Sequence, residues 1–252
     1  MLGRSLELLH LGAPPGRPTI VFLHEGLGSR ALWRDFPQRV AAAAGMGAVV
    51  YSRYGNGQSD ALDAKRGVRY MHDEATEVLP ALLRMLGIER PVLFGHSDGA
   101  SIALLYAAAF PQDAHALILE APHLFVEDLS VESIAAIRER YGSDGLREKM
   151  RRYHRDVDAT FYGWNDIWLD PAFRSWNIEA AVRDILAPSL ALQGAGDEYG
   201  TLAQLDALAA CSAGAVDRLV LAGCGHAPHR DRAAFVEAAV ASWLQTLETG
   251  VR

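Results

Sequence analysis

Six short apolar runs, at residues 19–23, 48–51, 91–94, 116–119, 189–192 and 217–221, recur along the chain with helical patterns between most of them. Each is rich in Val, Ile, Leu and Phe, and Gly, Pro or polar residues lie beyond its end, as in strands buried on both faces. Strands alternating with helices predict one architecture above others: an α/β fold, a mostly parallel twisted sheet with helices on both faces. An earlier segment, 5–11, alternates more and is expected as an antiparallel edge strand. Ala75, Val78, Leu79, Leu82, Leu83 and Leu86 recur at helical spacing up to Gly87, a stop signal, and Pro80 should kink or break that helix. Phe235, Val236, Ala239, Val240, Trp243, Leu244 and Leu247 make one apolar stripe of a last helix.

The alternation stops between Pro122 and Ile178, where helical patterns replace strands. Ser130 is placed to N-cap a helix running to Tyr141, which Gly142 would end. Val157, Phe161, Trp164 and Trp168 then repeat at helical spacing before Pro171. The expected organisation is therefore a core formed by residues 1–121 and 179–252, with a helical cap inserted at 122–178.

Half of the 252 residues are hydrophobic and 22% are charged, so the chain has the composition of an ordinary globular protein long enough for one large core. With a formal net charge of −7 and no Lys/Arg run to neutralise phosphates, nucleic acid is not an expected partner. The densest basic stretch, 147–155, includes Glu148 and reads as a solvated helix face. The two cysteines, Cys211 and Cys224, make neither a disulfide framework nor a metal-ligand spacing, so a cytoplasmic setting is expected. Residues 1–18 contain no apolar h-region. No run of about 18 apolar residues exists, so no membrane association is expected; the apolar stretch 98–109 is too short and reads as a buried helix. Monomer and homodimer both remain open.

The strongest chemical signal is Gly95-His96-Ser97-Asp98-Gly99, which follows the run 91–94 and opens the apolar helix 98–109. The pattern alone is weak, but a serine on a sharp strand-to-helix turn is held in a strained conformation that small flanking residues make room for. Its hydroxyl becomes a nucleophile only when an imidazole takes its proton. Of nine histidines, His226 in Gly223-Cys224-Gly225-His226 is best placed, because it follows the last strand on a glycine-rich loop. His229 is the nearby decoy, and the side chain of His96 should point away from Ser97. Asp197, in Gly194-Ala195-Gly196-Asp197, follows the strand 189–192 and is the expected orienting carboxylate; Glu198 and Glu120 are its rivals. The oxyanion needs two donors. Asp98 N–H should be one, and the second should come from His24-Glu25-Gly26-Leu27-Gly28, after the strand 19–23.

This series of loop, elbow, GxxD and GxGH resembles the α/β-hydrolase superfamily across nearly the whole chain. Arg53-Tyr54-Gly55-Asn56-Gly57-Gln58-Ser59-Asp60 is similar to that family's R-x-G-x-G-x-S loop, and the insertion 122–178 occupies the place of its cap. The resemblance implies a serine hydrolase with the order Ser97, Asp197, His226 and with no metal or organic cofactor needed. Alignment on His24 puts Gly26 at the second oxyanion donor, with Leu27 next in line. Many relatives have His-Gly where this chain has His24-Glu25. Glu25 then either points away as a hydrogen-bonding structural residue or takes part in substrate binding.

Serine in place of aspartate excludes the dehalogenase and epoxide-hydrolase chemistries of the superfamily. The expected reaction is hydrolysis of a small-molecule carboxylic ester, thioester or lactone through an acyl-enzyme. The alternative is a carbon–carbon bond hydrolase of a ring-cleavage product, although Ala227 stands where many of those carry an aromatic residue. A non-catalytic ligand receptor is the remote alternative. Phe161, Trp164 and Trp168, together with Tyr162 and Trp176, either line an acyl pocket or simply pack the cap on the core. His123 and Asp98 are expected near the mouth of the site.

Overall fold

The computed structural model describes residues 3–249, so 1–2 and 250–252, the ends of the expected core, lie outside the described residues. Seven strands form one sheet: β1 Leu8–Leu11, β2 Thr19–Leu23, β3 Gly47–Tyr51, β4 Val92–His96, β5 Ala116–Glu120, β6 Ser189–Gly194 and β7 Val216–Leu221. Their spatial order is β1-β3-β2-β4-β5-β6-β7. β1 pairs antiparallel with β3, as its alternation predicts, and all other pairings are parallel.

Successive side chains of a strand point to opposite faces, so each apolar run serves two cores. Val21, Leu23, Val49, Tyr51, Leu93, Leu117 and Leu119 pack on one face with the helices Leu79–Leu86, Asp98–Ala109 and Ala203–Cys211. Ile20, Phe22, Val50, Phe94 and Ile118 pack on the other with Phe36–Ala44 and Ala233–Thr249. β7 departs from the expectation of a buried strand: only Leu221 is buried and Val220 is exposed, because β7 is an edge with a single neighbour. The expected break at Pro80 takes the form of a π-helical segment, Glu74–Val78, directly before Leu79–Leu86. Pro80 has no N–H and crowds the carbonyl four residues earlier, and the wider turn relieves both.

Between β5 and β6 the chain is helical, with Asp128–Arg140, Leu146–Met150 and Val157–Trp168 as its main helices. Its two ends are stitched together by a bridge between Phe125 and Asn177 and by Ile178 N–H donating to Leu124 C=O at 2.7 Å. Ser130 is not an N-cap: the helix already begins at Asp128, and the Ser130 hydroxyl, two residues inside it, donates to Tyr199 C=O. The basic stretch is helical only through Met150; beyond it the chain turns, and Arg147 forks onto Asp158 at 2.8 and 2.6 Å. Among the described residues no helix is long and apolar enough to cross a membrane.

Connections leave β2 toward β3 on one side and β4 toward β5 on the other, so the strand order switches between β2 and β4. In open parallel sheets the crevice for a ligand lies at the carboxyl ends of the strands flanking such a switch. Ser97 follows β4 there, and His24–Gly28 follow β2.

Candidate active site

Ser97 adopts φ 54° and ψ −120°, a strained backbone for a residue with a Cβ. The turn is held by Ser97 N–H donating to Glu120 C=O at 2.8 Å and by Ala100 and Ser101 N–H donating back to Ser97 C=O. It closes only because Gly95 and Gly99, two residues to either side, carry no side chain. A Cβ on Gly95 would sit 2.3 Å from the Gly99 carbonyl oxygen, and one on Gly99 would sit 2.0 Å from the Leu23 carbonyl oxygen.

His226 Nδ1 lies 2.8 Å from Asp197 Oδ1. That carboxylate also accepts from Tyr199 N–H at 2.9 Å and from Gln193 Nε2 at 3.1 Å. Burial pushes the Asp197 carboxyl up, but the bonds from His226 and Tyr199 outweigh it and hold the group below its ordinary range. An ionised carboxylate only accepts, so Nδ1 carries the proton and Nε2 presents its lone pair. Glu198, the sequence neighbour, instead accepts from His226 N–H at 3.2 Å. Ser97 and His226 line the same cavity of about 530 Å³, within the size range of small-molecule sites.

The loop after β2 is anchored by its carbonyls. Arg53 Nη2 donates to Glu25 C=O at 2.8 Å, and Asn56 Nδ2 donates to Gly26 C=O at 3.2 Å and Gly28 C=O at 3.0 Å. Arg53 N–H donates to His24 Nε2 at 3.0 Å, so the His24 proton sits on Nδ1 and is given to Glu25 C=O at 2.6 Å. Burial, helped by Arg53, keeps that imidazole neutral by lowering its pKa well below the ordinary value. In a trans peptide the N–H points opposite to the preceding carbonyl. The N–H groups of Gly26 and Leu27 therefore face away from Arg53 and Asn56, and both residues line the cavity. Asp98 N–H opens a helix and has no intrahelical acceptor.

Of the other candidates, Glu25, His123, Trp164 and Trp168 line the cavity. Phe161 does not: it is fully buried and stacks on Tyr141 at 3.7 Å, beside Met150 and Val157. Trp176 stacks on Phe173, and the half-exposed Tyr162 meets Tyr141 and Phe161 edge-on, so both pack within the segment between β5 and β6. The Asp98 side chain is not at the mouth either. It is fully buried, accepting from Tyr70 Oη at 2.7 Å and Trp168 Nε1 at 3.2 Å, and so fastens the helix Val157–Trp168 to the elbow. His123 is buried beside His226, with ring centroids 5.8 Å apart. Burial, then His226, lower its pKa to about 4, so it is neutral near pH 7. Gly26 is in direct contact with Trp164, whose Cδ1 and Nε1 would lie 2.1 Å from any Cβ added there.

His96, Glu120, His229 and Arg230, not chosen for the triad, cluster around it. Glu120 accepts from His229 N–H at 2.5 Å and from its Nδ1 at 2.7 Å. His96 Nε2 donates to His226 C=O at 2.8 Å, and Arg230 Nη2 donates to Glu25 Oε1 at 2.7 Å. Among the described residues His96, Glu120 and His229 are the trio with metal-like spacing. Both Glu120 oxygens are already turned to His229, and His96 Nε2 is turned to the His226 carbonyl. A carboxylate ending the otherwise apolar run 116–119 is the signal in the sequence, since buried charges come with partners.

The model of the alpha/beta hydrolase family matches residues 20–239. The chain belongs to the alpha/beta hydrolase family. A 2-hydroxy-6-oxononadienedioate/2-hydroxy-6-oxononatrienedioate hydrolase of Paraburkholderia phymatum is 31% identical over 119 residues. That match covers 46% of this chain and spans 40% of the relative's length. Among solved structures, the enol-lactonase of Burkholderia xenovorans LB400 superposes with a TM-score of 0.76 at 19% identity, over 96% of this chain and 97% of that one. An esterase of Thermogutta terrifontis gives 0.73 at 19% identity, over 96% and 94%. These likenesses show the fold of this alpha/beta hydrolase.

Proposed function

We propose that this alpha/beta hydrolase cleaves a small carboxylic ester, thioester or lactone through an acyl-enzyme on Ser97. The observation that carries the reading is the strained Ser97 turn opening on the same cavity as a His226 oriented by Asp197. His226 Nε2 takes the hydroxyl proton as Ser97 Oγ attacks the carbonyl carbon, and Asp197 stabilises the imidazolium. The tetrahedral oxygen is held by Asp98 N–H and by Gly26 or Leu27 N–H. The carbon–oxygen or carbon–sulfur bond breaks as His226 gives its proton to the leaving group, and water repeats the sequence to release the acid. Leu27, Ile134, Ile137, Met150, Trp164 and Trp168 give the cavity an apolar wall suited to an acyl chain, with the inserted helices as its cap. The esterase and enol-lactonase with this fold support that chemistry.

Cleavage of a carbon–carbon bond in a ring-cleavage product is the second reading, favoured by the partial match to the dienedioate hydrolase. It uses the same three residues. Labelling by a fluorescent organophosphonate tests the nucleophile: wild type should label and Ser97→Ala should not. Ser97→Ala and His226→Ala should each lower kcat by about a thousandfold or more with the fold retained, since triad members act as a unit. Labelling of Ser97→Ala at the wild-type rate overturns the assignment. Turnover of p-nitrophenyl esters and lactones against a ring-cleavage product separates the two readings.

A further inference from the structure

Glu25 is the one place where the loop after β2 departs from the usual glycine, and one oxygen of its carboxylate is paired while the other faces His96. Oε1 pairs with Arg230 Nη2 at 2.7 Å, and Oε2 lies 3.5 Å from His96 Nδ1. The carboxylate folds over Gly28, where a Cβ would come within 2.4 Å of Oε2. Its two partners belong to the other half of the site. Arg230 is four residues after His226. His96 precedes the nucleophile, and its Nε2 must carry a proton because the His226 carbonyl it meets can only accept. We propose that Glu25 is a positioning residue, a single carboxylate that holds the oxyanion loop in register with the loop bearing the catalytic histidine.

The charges fit that role. A carboxylate beside a developing oxyanion opposes the reaction unless it is neutralised and turned away. Here Arg230 neutralises one side. On the other, burial disfavours a charged His96, but Glu25 and Glu120 outweigh it and raise its pKa. The charged or titratable groups facing His96 are Glu25, Glu120, His226, His229 and Arg230. Removing Glu25 therefore frees the oxyanion loop and leaves Arg230 and His96 without their carboxylate, while Ile134, Ile137, Met150 and Trp168 of the apolar wall stay in place.

The inference rests on the serine-hydrolase reading, and the test separates the two. Wild type, Glu25→Ala, Glu25→Gln and Arg230→Gln are compared for phosphonate labelling rate, kcat and KM on a p-nitrophenyl ester, and Tm. Displacements near 1 Å cost up to about a hundredfold in rate, so Glu25→Ala should lose about ten- to a hundredfold in kcat with KM changed less than about threefold. Glu25→Gln keeps the shape and one bond and should fall between. Combining Arg230→Gln with Glu25→Gln should add little to either alone, because both break the same tie. If wild type neither labels nor turns over ester, the serine-hydrolase reading fails. If wild type is active and Glu25→Gln and Arg230→Gln keep kcat within about twofold, or lose only KM, the positioning role is refuted. Those two milder variants carry the test should Glu25→Ala fail to fold.

Discussion

Replacing Gly26 by alanine tests the contact between the helix Val157–Trp168 and the loop after β2. The new methyl carbon would lie 2.1 Å from Trp164 Cδ1 and Nε1 and 2.8 Å from Cγ, so the indole must move by more than an ångström. The helix that carries it is not free to follow. Trp168 Nε1 is bonded to Asp98, and Thr160 Oγ1 donates to Gly55 C=O at 2.7 Å. Overpacking of this kind costs about 1–3 kcal/mol. At about 2–4 °C per kcal/mol for a chain of this size, Tm should fall by roughly 2–12 °C in a scanning calorimetry or circular dichroism melt. If the loop yields instead of the indole, Tm changes little but the donors at Gly26 and Leu27 shift, and kcat falls by as much as about a hundredfold. Trp164→Ala removes the obstacle, so the double variant should be less impaired than the two single losses add to. A Gly26→Ala protein with wild-type Tm and wild-type kcat refutes the contact, as does strict additivity in the cycle.

His229→Ala should chiefly damage stability. It strips the buried Glu120 of the bond from the imidazole Nδ1 while the backbone N–H bond stays, and losing a hydrogen bond to a charged group costs about 1.5–3 kcal/mol, which a melt would read as a Tm loss of roughly 3–12 °C. A melt within about 2 °C of wild type contradicts that. Acid sensitivity should change in Asp197→Asn. The folded pKa of Asp197 lies below its unfolded value of about 3.9, so its stabilisation is whole above that value and is lost as pH falls through the folded one. Between about pH 5 and pH 3 wild type should therefore lose more Tm than Asp197→Asn; equal losses would show that the carboxylate is not selectively stabilised by folding.

The strands are legible in the sequence because burial on both faces demands unbroken apolar runs, and the elbow because few other structures place glycine two residues either side of a serine between a strand and a helix. β7 breaks the rule through its position: the same Val- and Leu-rich composition serves an edge, and only sheet order distinguishes the two. Ser130 illustrates another limit. A serine ahead of a helical pattern reads as a cap, but the helix starts two residues sooner and the hydroxyl finds the Tyr199 carbonyl. Phe161, Trp164 and Trp168 share one periodicity, yet two face the cavity and the third faces Tyr141. Periodicity orders residues around a helix without saying which neighbour each side meets. For the group formed by His96, Glu120, His229 and Arg230 the sequence signals only the carboxylate; its partners come from the end of β4 and from the helical turn after His226, which only the folded sheet brings together.

The switch in strand order between β2 and β4 has a consequence for synthesis. Ser97 leaves the ribosome about half a chain before His226, and the residues that tie the two together come from the ends of strands paired over long separations. Parallel pairings of that kind form slowly, because loop closure precedes the reward. Under the proposed function, Ser97 of a nascent chain therefore exists before His226, and its hydroxyl stays chemically idle until the last strand and the helix beyond it have docked.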